Sequence, residues 1–378
     1  MKILFITNLP SPYRVLFFSE LGRLCDLTVI YERMTASDRN IDWKEKKENT
    51  YKEIYLNGIN IGNDGAWCPG ILSYLNKDYD IIVMGVYHTP TAMMAISYLK
   101  WKKIPFVIST DGGFVSEEGK VKKRLKTSFI GSASGWLSPS KGGDEYLTYY
   151  GADKDHIYRY NFTSLLQNDL HYGRDLSKKK EQFRKKNNIT EKIVVISVGR
   201  FSYNGGFGKG YDTLLKAAQY INPNIGIYIV GDEPTPEFKK MKLKMHLDNV
   251  HFVGFKKKKE LAEYYAASDI FVLMTRGDVW GLVINEAMSY GIPIITTYQC
   301  LAGQELVKND DTGYLLDCED YSRLAEYISL LSENDELRNK MSCNCFGTIE
   351  KYTIEEMAKE HFEYFNAFIN YKKERNNQ

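Results

Sequence analysis

Two cations in a glycine-rich segment, Arg200 and Lys209, are candidates for binding an anion. Arg200 follows an apolar run that ends at Gly199, and Lys209 lies just beyond three glycines, before a stretch of helical spacing. Flexible backbone N–H groups together with two cations suit a phosphate or a diphosphate. The segment is not a Walker loop, because Tyr203 stands where that loop has its first glycine and Gly210 follows the lysine. ATP hydrolysis is therefore disfavoured, and a mobile loop with ordinary surface charges remains the alternative.

Two carboxylates lie further along the chain on either side of a glycine. Asp278 is predicted in the loop after a strand, and Glu286 inside the helix that follows. Carboxylates accept hydrogen bonds from vicinal hydroxyls, and the N–H groups at the helix start, around Gly281, Leu282 and Val283, suit a diphosphate. Together these residues predict a site for a sugar nucleotide. For either acid alone, helix capping or a solvated charge is the alternative.

The strands and helices that carry these residues can be predicted from alternating patterns in the sequence. Short runs rich in Ile, Val and Phe alternate with stretches of helical spacing, which is typical of parallel strands with crossover helices. The sequence thus predicts an α/β protein with two doubly wound, Rossmann-like domains that face a central cleft, where ligands of such folds bind. The predicted strands are 3–7, 27–31, 81–85, 106–109 and 136–138 in the first half and 193–199, 225–231, 251–254, 270–274 and 292–296 in the second, with helices at 13–25 and 89–101.

Size and charge agree with a two-domain globular protein. The 378 residues exceed the usual size of one core, and the polar, Lys-rich segment 163–191 marks the domain change. A net charge of +2 provides no global field for nucleic acid, and the six cysteines have no paired spacing typical of zinc or disulfides. The first apolar run is too short for a signal peptide and reads as a strand, so a cytoplasmic protein with reduced thiols is expected.

From Val194 to Leu316 the sequence resembles the retaining glycosyltransferases of family 4, the group 1 glycosyltransferases of bacterial polysaccharide biosynthesis, which have the GT-B fold. Each matching stretch is weakly specific by itself, whereas their order and spacing together are specific. The stretches are 198–200, 209–210, 229–234, 250–254, 267–269, 278–293 and 311–316.

The resemblance implies roles for the residues of the second half. Arg200 and Lys209 match the pair that binds the donor diphosphate and stabilises the departing nucleotide in place of a metal. Glu286 matches the acid that holds the ribose hydroxyls, and Asp278 the acid that touches the donor sugar, where the family usually has Glu. Gly281, Leu282 and Val283 match the backbone beside the phosphates and the sugar.

The first half resembles the family more loosely. Family members often carry two glycines after the first strand, where this chain has the stiffer segment 10–14; Arg14 is expected to reach a phosphate from there. Asp111 takes the position of a histidine near the reacting carbon, with a turn-forming aspartate as the alternative. His88 is a further candidate for substrate binding in the cleft, with a structural histidine as its alternative.

The resemblance thus implies a metal-independent transferase without a cofactor, in which residues 1–165 bind the acceptor, the helix at about 352–378 packs back on them, and residues 166–351 bind the donor. The expected reaction moves a sugar from a nucleoside diphosphate sugar, UDP rather than GDP, to a hydroxyl of a carbohydrate or lipid-linked saccharide with retention of configuration. Surface polysaccharide or capsule biosynthesis is the expected setting. A nucleotide-sugar epimerase of the same fold and a non-catalytic two-lobed sensor are the alternatives.

The segment 120–130 is a candidate for contact with a membrane. Residues 120–130 set Val121, Leu125 and Phe129 at four-residue spacing among five basic residues. Such a helix face can lie on an anionic membrane, at the inner face of the plasma membrane for a cytoplasmic protein. A helix whose apolar face packs on the core is the alternative.

Overall fold

The computed structural model describes residues 1–35, 50–75, 78–171 and 176–376, with side chains described up to residue 370. The chain divides into two compact units. One comprises Met1–Gln167 together with Tyr352–Gln378, and the other comprises Asn168–Lys351. Each unit is built around its own parallel sheet.

The first unit contains a seven-stranded parallel sheet in the order β3-β2-β1-β6-β7-β8-β9, and a separate antiparallel hairpin, β4-β5. Its strands are β1 (Lys2–Thr7), β2 (Asp26–Tyr31), β3 (Lys52–Tyr55), β4 (Ile59–Ile61), β5 (Gly65–Trp67), β6 (Ile81–Met84), β7 (Val107–Ser109), β8 (Gly135–Ser138) and β9 (Ile157–Arg159). Its helices are α1 (Pro12–Leu21), α2 (Pro90–Trp101), α3 (Lys120–Ile130), α4 (Lys141–Tyr149) and α13 (Ile354–Asn376).

Continuous apolar runs form the centre of this sheet because both of its faces are covered. β1 is buried from Ile3 to Thr7 and pairs in parallel with β2 and β6. The chain returns at its end to pack α13 against α1. Thr89 caps α2, accepting a hydrogen bond from the Ala92 amide.

The second unit contains a six-stranded parallel sheet in the order β12-β11-β10-β13-β14-β15. Its strands are β10 (Ile193–Val198), β11 (Ile225–Val230), β12 (Val250–Gly254), β13 (Ile270–Leu273), β14 (Ile294–Thr297) and β15 (Gly313–Leu316). Its helices are α5 (Ser177–Lys186), α6 (Tyr211–Ala218), α7 (Pro236–Lys244), α8 (Lys258–Ala267), α9 (Leu282–Ser289), α10 (Leu301–Leu306), α11 (Tyr321–Glu333) and α12 (Asp335–Ile349).

Both sheets reverse their strand order at one point. In the first unit the reversal lies between β1 and β6, and in the second it lies between β10 and β13. Loops diverge from the carboxyl ends of the strands at such points and leave a crevice where ligands bind. The segments singled out by sequence, after β1 and β10, start at these two places.

The predicted α/β architecture is confirmed, and all ten predicted strands are present with bounds shifted by two residues at most. The predicted helix 13–25 is wrong at its end, because α1 stops at Leu21 before Gly22. Sequence reasoning missed five of the described strands. β3, β4 and β9 are short and largely exposed, so they carry no apolar run, and β5 and β15 are only three and four residues long. In the part of the chain that the structure describes, no helix is long and apolar enough to cross a membrane.

Candidate functional site

The glycine-rich segment after β10 folds as a tight, left-handed loop. Asn204, Gly205 and Gly206 all have positive φ, and the loop closes at Gly210, where φ is +69°. A Cβ at Gly210 would lie 1.8 Å from the carbonyl oxygen of Met274, so only glycine fits there. This turn delivers the residue before it, Lys209, to the start of α6.

Lys209 meets Asp278 directly. The Nζ atom of Lys209 donates to Oδ2 of Asp278 at 2.5 Å, and the two side chains are only 17% and 20% exposed. The same ammonium lies 5.3 Å from the centroid of the Tyr203 ring. The loop after β10 and the loop after β13 therefore bring a cation and a carboxylate together at the point of strand reversal.

The backbone around Asp278 is held by the segment that precedes α10. The Asp278 amide donates to the carbonyl of Gln299 at 2.9 Å, and the Leu301 amide donates to the Asp278 carbonyl at 3.4 Å. Gly281 has φ +100°, and a Cβ there would lie 2.6 Å from Sγ of Cys300. Cys300 is fully buried, and burial raises the pKa of its thiol to about 12, which disfavours the nucleophilic thiolate.

Helix α9 starts after Gly281 and presents one stripe of side chains. Leu282, Val283 and Glu286 are partly exposed, whereas Ile284, Asn285 and Ala287 to Ser289 are buried. The first N–H groups of a helix have no intrahelical acceptor and favour an anion. A carboxylate of Glu286 accepts from the Tyr265 hydroxyl at 3.0 Å, one helical turn beyond these N–H groups.

Arg200 lies at the base of the glycine-rich loop and is exposed. The backbone on its carboxyl side is tied to the end of β11, because Asp232 accepts from the amides of Phe201 and, at 3.1 Å, Ser202. A Cβ at Gly231 would lie 1.8 Å from the carbonyl oxygen of Gly199. Arg200 therefore projects from a backbone that is fixed on both sides.

Sequence reasoning missed Arg276, which joins the two loops. Its guanidinium forms a bidentate pair with Asp212 at 2.7 and 2.8 Å and donates to the carbonyl of Phe207 at 2.5 Å. Its amide donates to the Gly208 carbonyl at 3.0 Å. The hydrogen bonds to Asp212 are the main cause of its raised pKa. The signal in the sequence is an acid, Asp212, directly after the glycine-rich segment; the structure shows that it is buried in the first turn of α6.

In the first unit, Arg14 and Asp111 form a partly buried network. Nη2 of Arg14 and the Tyr13 hydroxyl both donate to Oδ2 of Asp111, at 2.8 and 2.6 Å, and Nε of Arg14 donates to the Tyr13 hydroxyl at 3.0 Å. Nη1 of Arg14 donates to the Thr7 hydroxyl. A cavity of ≈ 20 Å³, about the size of one water, adjoins this network and His361. Arg14 is expected to reach a phosphate. In the structure its guanidinium is paired with Asp111, so a phosphate would have to compete with that carboxylate.

His88 lies after β6 and is exposed. Its Nε2 atom is 3.8 Å from Oδ2 of Asp64, which also accepts from the Asn8 side-chain amide at 3.0 Å. The structure therefore assembles Lys209, Asp278, Gly281 and the stripe of α9 in the second unit, and places Arg14, Asp111 and His88 in the first. The predicted cleft between the halves stays a prediction.

Comparison with known proteins shows the fold of the chain and a family match in its second half. Residues 178–345 match the family model "Glycosyl transferases group 1". HepE of Anabaena, whose crystal structure was solved in complex with UDP, superposes with a TM-score of 0.78 over 97% of this chain and 100% of its own at 17% identity. The two parallel sheets and this likeness define the GT-B fold, which confirms the predicted fold class, and the residues that match the family model lie within the second unit.

Two curated relatives are similar in sequence. An uncharacterized 41.2 kDa protein in the cps region of Klebsiella pneumoniae is 27% identical over 179 residues, so that the match spans about half of each chain, 47% of both. The N,N'-diacetylbacillosaminyl-diphospho-undecaprenol alpha-1,3-N-acetylgalactosaminyltransferase of Campylobacter jejuni is 22% identical over 84% of this chain and 85% of its own.

Proposed function

We propose that this protein is a retaining glycosyltransferase that transfers a sugar from a nucleoside diphosphate sugar to an acceptor hydroxyl. The observation that carries the proposal is the convergence of Lys209, Asp278 and the N-terminus of α9 where strand order reverses in the second unit. A cation, a helix start and a carboxylate in this arrangement suit a diphosphate that carries a sugar.

The donor takes a definite orientation in this proposal. Its diphosphate lies between Lys209, Arg200 and the first N–H groups of α9, whose positive end favours anions. Glu286 is on the same stripe of α9 and accepts from the two ribose hydroxyls. Asp278 faces the donor sugar once the diphosphate competes for Lys209. UDP is the expected nucleotide, as in the complex of the structural neighbour HepE.

The reaction itself requires the enzyme to stabilise a leaving group. The bond between the anomeric carbon and the phosphate oxygen breaks, and charge develops on the diphosphate, where Lys209 and Arg200 neutralise it. The acceptor oxygen then bonds to the anomeric carbon from the face that the nucleotide leaves, and its proton passes to the departing phosphate. Two protein cations do in this proposal what a metal ion does in other transferases.

The acceptor is proposed to be a saccharide of a surface polysaccharide or capsule, carried on a lipid. The name of the Klebsiella relative refers to a cps region, and that of the Campylobacter relative to a diphospho-undecaprenol substrate. The first unit offers Asp111, fixed by Tyr13 and Arg14, and exposed His88 as groups that contact the acceptor. In this proposal the protein acts on its acceptor at the cytoplasmic side of a membrane.

Water serves as a surrogate acceptor in the test of this proposal. The chain is incubated with a panel of UDP- and GDP-sugars in EDTA, and nucleotide release is followed with the anomeric proton signal of the freed sugar. Release of UDP, together with a freed sugar that first appears in the anomeric configuration of the donor, supports a retaining, metal-independent transferase. An interconverted sugar still attached to its nucleotide would identify an epimerase, and absence of both reactions in the wild-type chain at saturating donor would contradict the proposal.

A further inference from the structure

Helix α3 turns its regularly spaced apolar residues toward solvent. Val121 is 75% and Leu125 47% exposed, whereas Ile130 is buried and Phe129 is partly buried against the core. Val121 and Leu125 are one turn apart and lie on the same side of the helix. The alternative in which this apolar face packs on the core is therefore wrong for these two residues.

The end of α2 extends the same surface. Trp101 is 72% exposed, and the adjacent Lys100 donates from Nζ to both the carbonyl and the hydroxyl of Ser128 on α3 at 2.9 Å. The α2–α3 surface, defined by Trp101, Val121 and Leu125 with the basic residues of 100–103 and 120–126, thus joins two helices of one unit.

The charge of this surface departs from that of the whole chain. Residues 100–103 and 117–130 contain eight Lys and Arg and two Glu, in a chain with a net charge of +2. One of those carboxylates, Glu118, is only 4% exposed and binds Lys126 at 3.1 Å. Lys102 lies 4.1 Å from the Trp101 ring centroid and Lys123 lies 4.0 Å from that of Tyr149. Apolar side chains on this surface are thus surrounded by cations.

We propose that the α2–α3 surface binds an anionic phospholipid bilayer. Aliphatic side chains and an indole can enter the boundary between head groups and acyl chains, while flanking Lys and Arg stay at the lipid phosphates. Each cation near an anionic leaflet adds to the attraction. A single-stranded nucleic acid would instead bind a basic groove in which aromatic rings stack on its bases. The exposed aliphatic side chains of Val121 and Leu125 cannot stack on bases. The contact needs no nucleotide sugar, so it is tested independently of the transferase proposal.

Sedimentation of the full chain with vesicles measures this binding. Phosphatidylcholine vesicles containing phosphatidylglycerol should carry the wild-type chain down, and phosphatidylcholine alone should not. K120Q/K122Q/R124Q should lower the partition coefficient on the order of 100-fold, and V121S/L125S should lower it on the order of 10-fold at unchanged charge. All these side chains are exposed, so thermal midpoints should match that of the wild type.

Helix α5 provides the matched control. It is also rich in lysine, but its one apolar residue, Phe183, is buried. K178Q/K179Q/K185Q removes the same charge as the α3 variant and should leave vesicle binding within about twofold of the wild type. Trp101 fluorescence adds a second readout, since a blue shift on anionic vesicles that W101F abolishes places the indole in the lipid.

Several results would overturn the proposal. Equal losses in the α3 and α5 charge variants would show unspecific attraction, and retention of wild-type binding by V121S/L125S would remove the apolar contact. Binding to polyphosphate or DNA without vesicle binding would assign the surface to a polyanion. Concentration-dependent dimerisation abolished by V121S/L125S, again without vesicle binding, would assign it to a second copy of the chain.

Discussion

Lys209 and Asp278 are joined by a 2.5 Å ion pair between two loops that meet where the second sheet reverses its strand order. The cation proposed to bind the donor diphosphate is therefore neutralised, before the donor binds, by the carboxylate proposed to contact its sugar. A diphosphate that enters competes with Asp278 for Lys209 and at the same time frees the carboxylate for the sugar hydroxyls.

Removing the charge of Asp278 should separate binding from transfer. In D278N the diphosphate no longer competes with a carboxylate, so the Kd for UDP alone should fall about 3- to 10-fold, the scale of a partly screened ion pair. Transfer or hydrolysis of the donor should fall roughly 100-fold, because a neutral amide with one accepting oxygen replaces the charged carboxylate that accepts from the sugar hydroxyls. Calorimetric titration with UDP and donor turnover measure the two effects. D248N, on an exposed residue of the same unit, is the control, and weaker UDP binding by D278N would contradict competition.

The link from Arg276 to Asp212 should order the glycine-rich loop. R276K keeps the charge but loses the fork that binds two carboxylate oxygens and the Phe207 carbonyl. We expect the free energy of unfolding of the second unit to fall by about 2 kcal/mol, with weaker UDP binding and faster amide exchange in 203–210. Arg323, which is largely exposed, supplies the control R323K. Unchanged amide exchange in that loop would show that Arg276 does not position it.

Gly281 should tolerate no side chain, for two separable reasons. Its φ of +100° disfavours alanine, and an added Cβ would meet Sγ of Cys300 at 2.6 Å. G281A should destabilise the protein by roughly 2–3 kcal/mol in urea unfolding and weaken UDP binding. G281A/C300A should regain part of the stability by removing the contact, but not the part due to φ.

A nearby glycine controls for this change. Apart from its two chain neighbours, no heavy atom of the described residues lies within 4 Å of a Cβ built at Gly277, and its φ is not in the left-handed region. G277A should therefore leave the free energy of unfolding within about 0.5 kcal/mol of the wild type. An equal loss in G277A and G281A would show that neither φ nor Cys300 is the cause.

His361 should make the first unit less stable in acid. Burial lowers the pKa of this histidine from 6.5 to about 4, so the unfolded chain takes up a proton that the folded chain does not. Its contribution to stability is present above about pH 6.5 and is lost as the pH falls toward 4, by roughly 3 kcal/mol in total. H361Q should remove this pH dependence. The measurement is the difference between the unfolding free energies of the wild type and H361Q, followed as a function of pH. Burial raises the pKa of Glu32 to about 7, so its contribution to stability falls as the pH rises, opposite to that of His361. Glu32 is present in both proteins, so its contribution cancels in the difference between them. Parallel pH profiles would contradict the assignment to His361.

The sequence predicted the positions of the site residues better than their contacts. Periodicity was enough to place Asp278 after a strand and Glu286 inside a helix, because those features depend on local patterns. The ion pair of Asp278 joins residues 69 positions apart, and the Arg276 link spans 64 positions, so both depend on how the strands are ordered. Likewise, the spacing of Val121 and Leu125 predicted a helix face, but which way it points is decided by the packing of Phe129 and Ile130.

Calorimetric titration of the chain with UDP in EDTA, repeated with K209A and E286A, measures whether a nucleoside diphosphate binds at the donor site. We expect one UDP site per chain in the wild type, with a Kd raised at least roughly 10-fold in each variant because each loses a charged hydrogen-bonding partner. Binding that both variants retain at wild-type strength, or no binding of UDP or GDP by the wild type, would contradict the placement of a nucleoside diphosphate between Lys209 and α9.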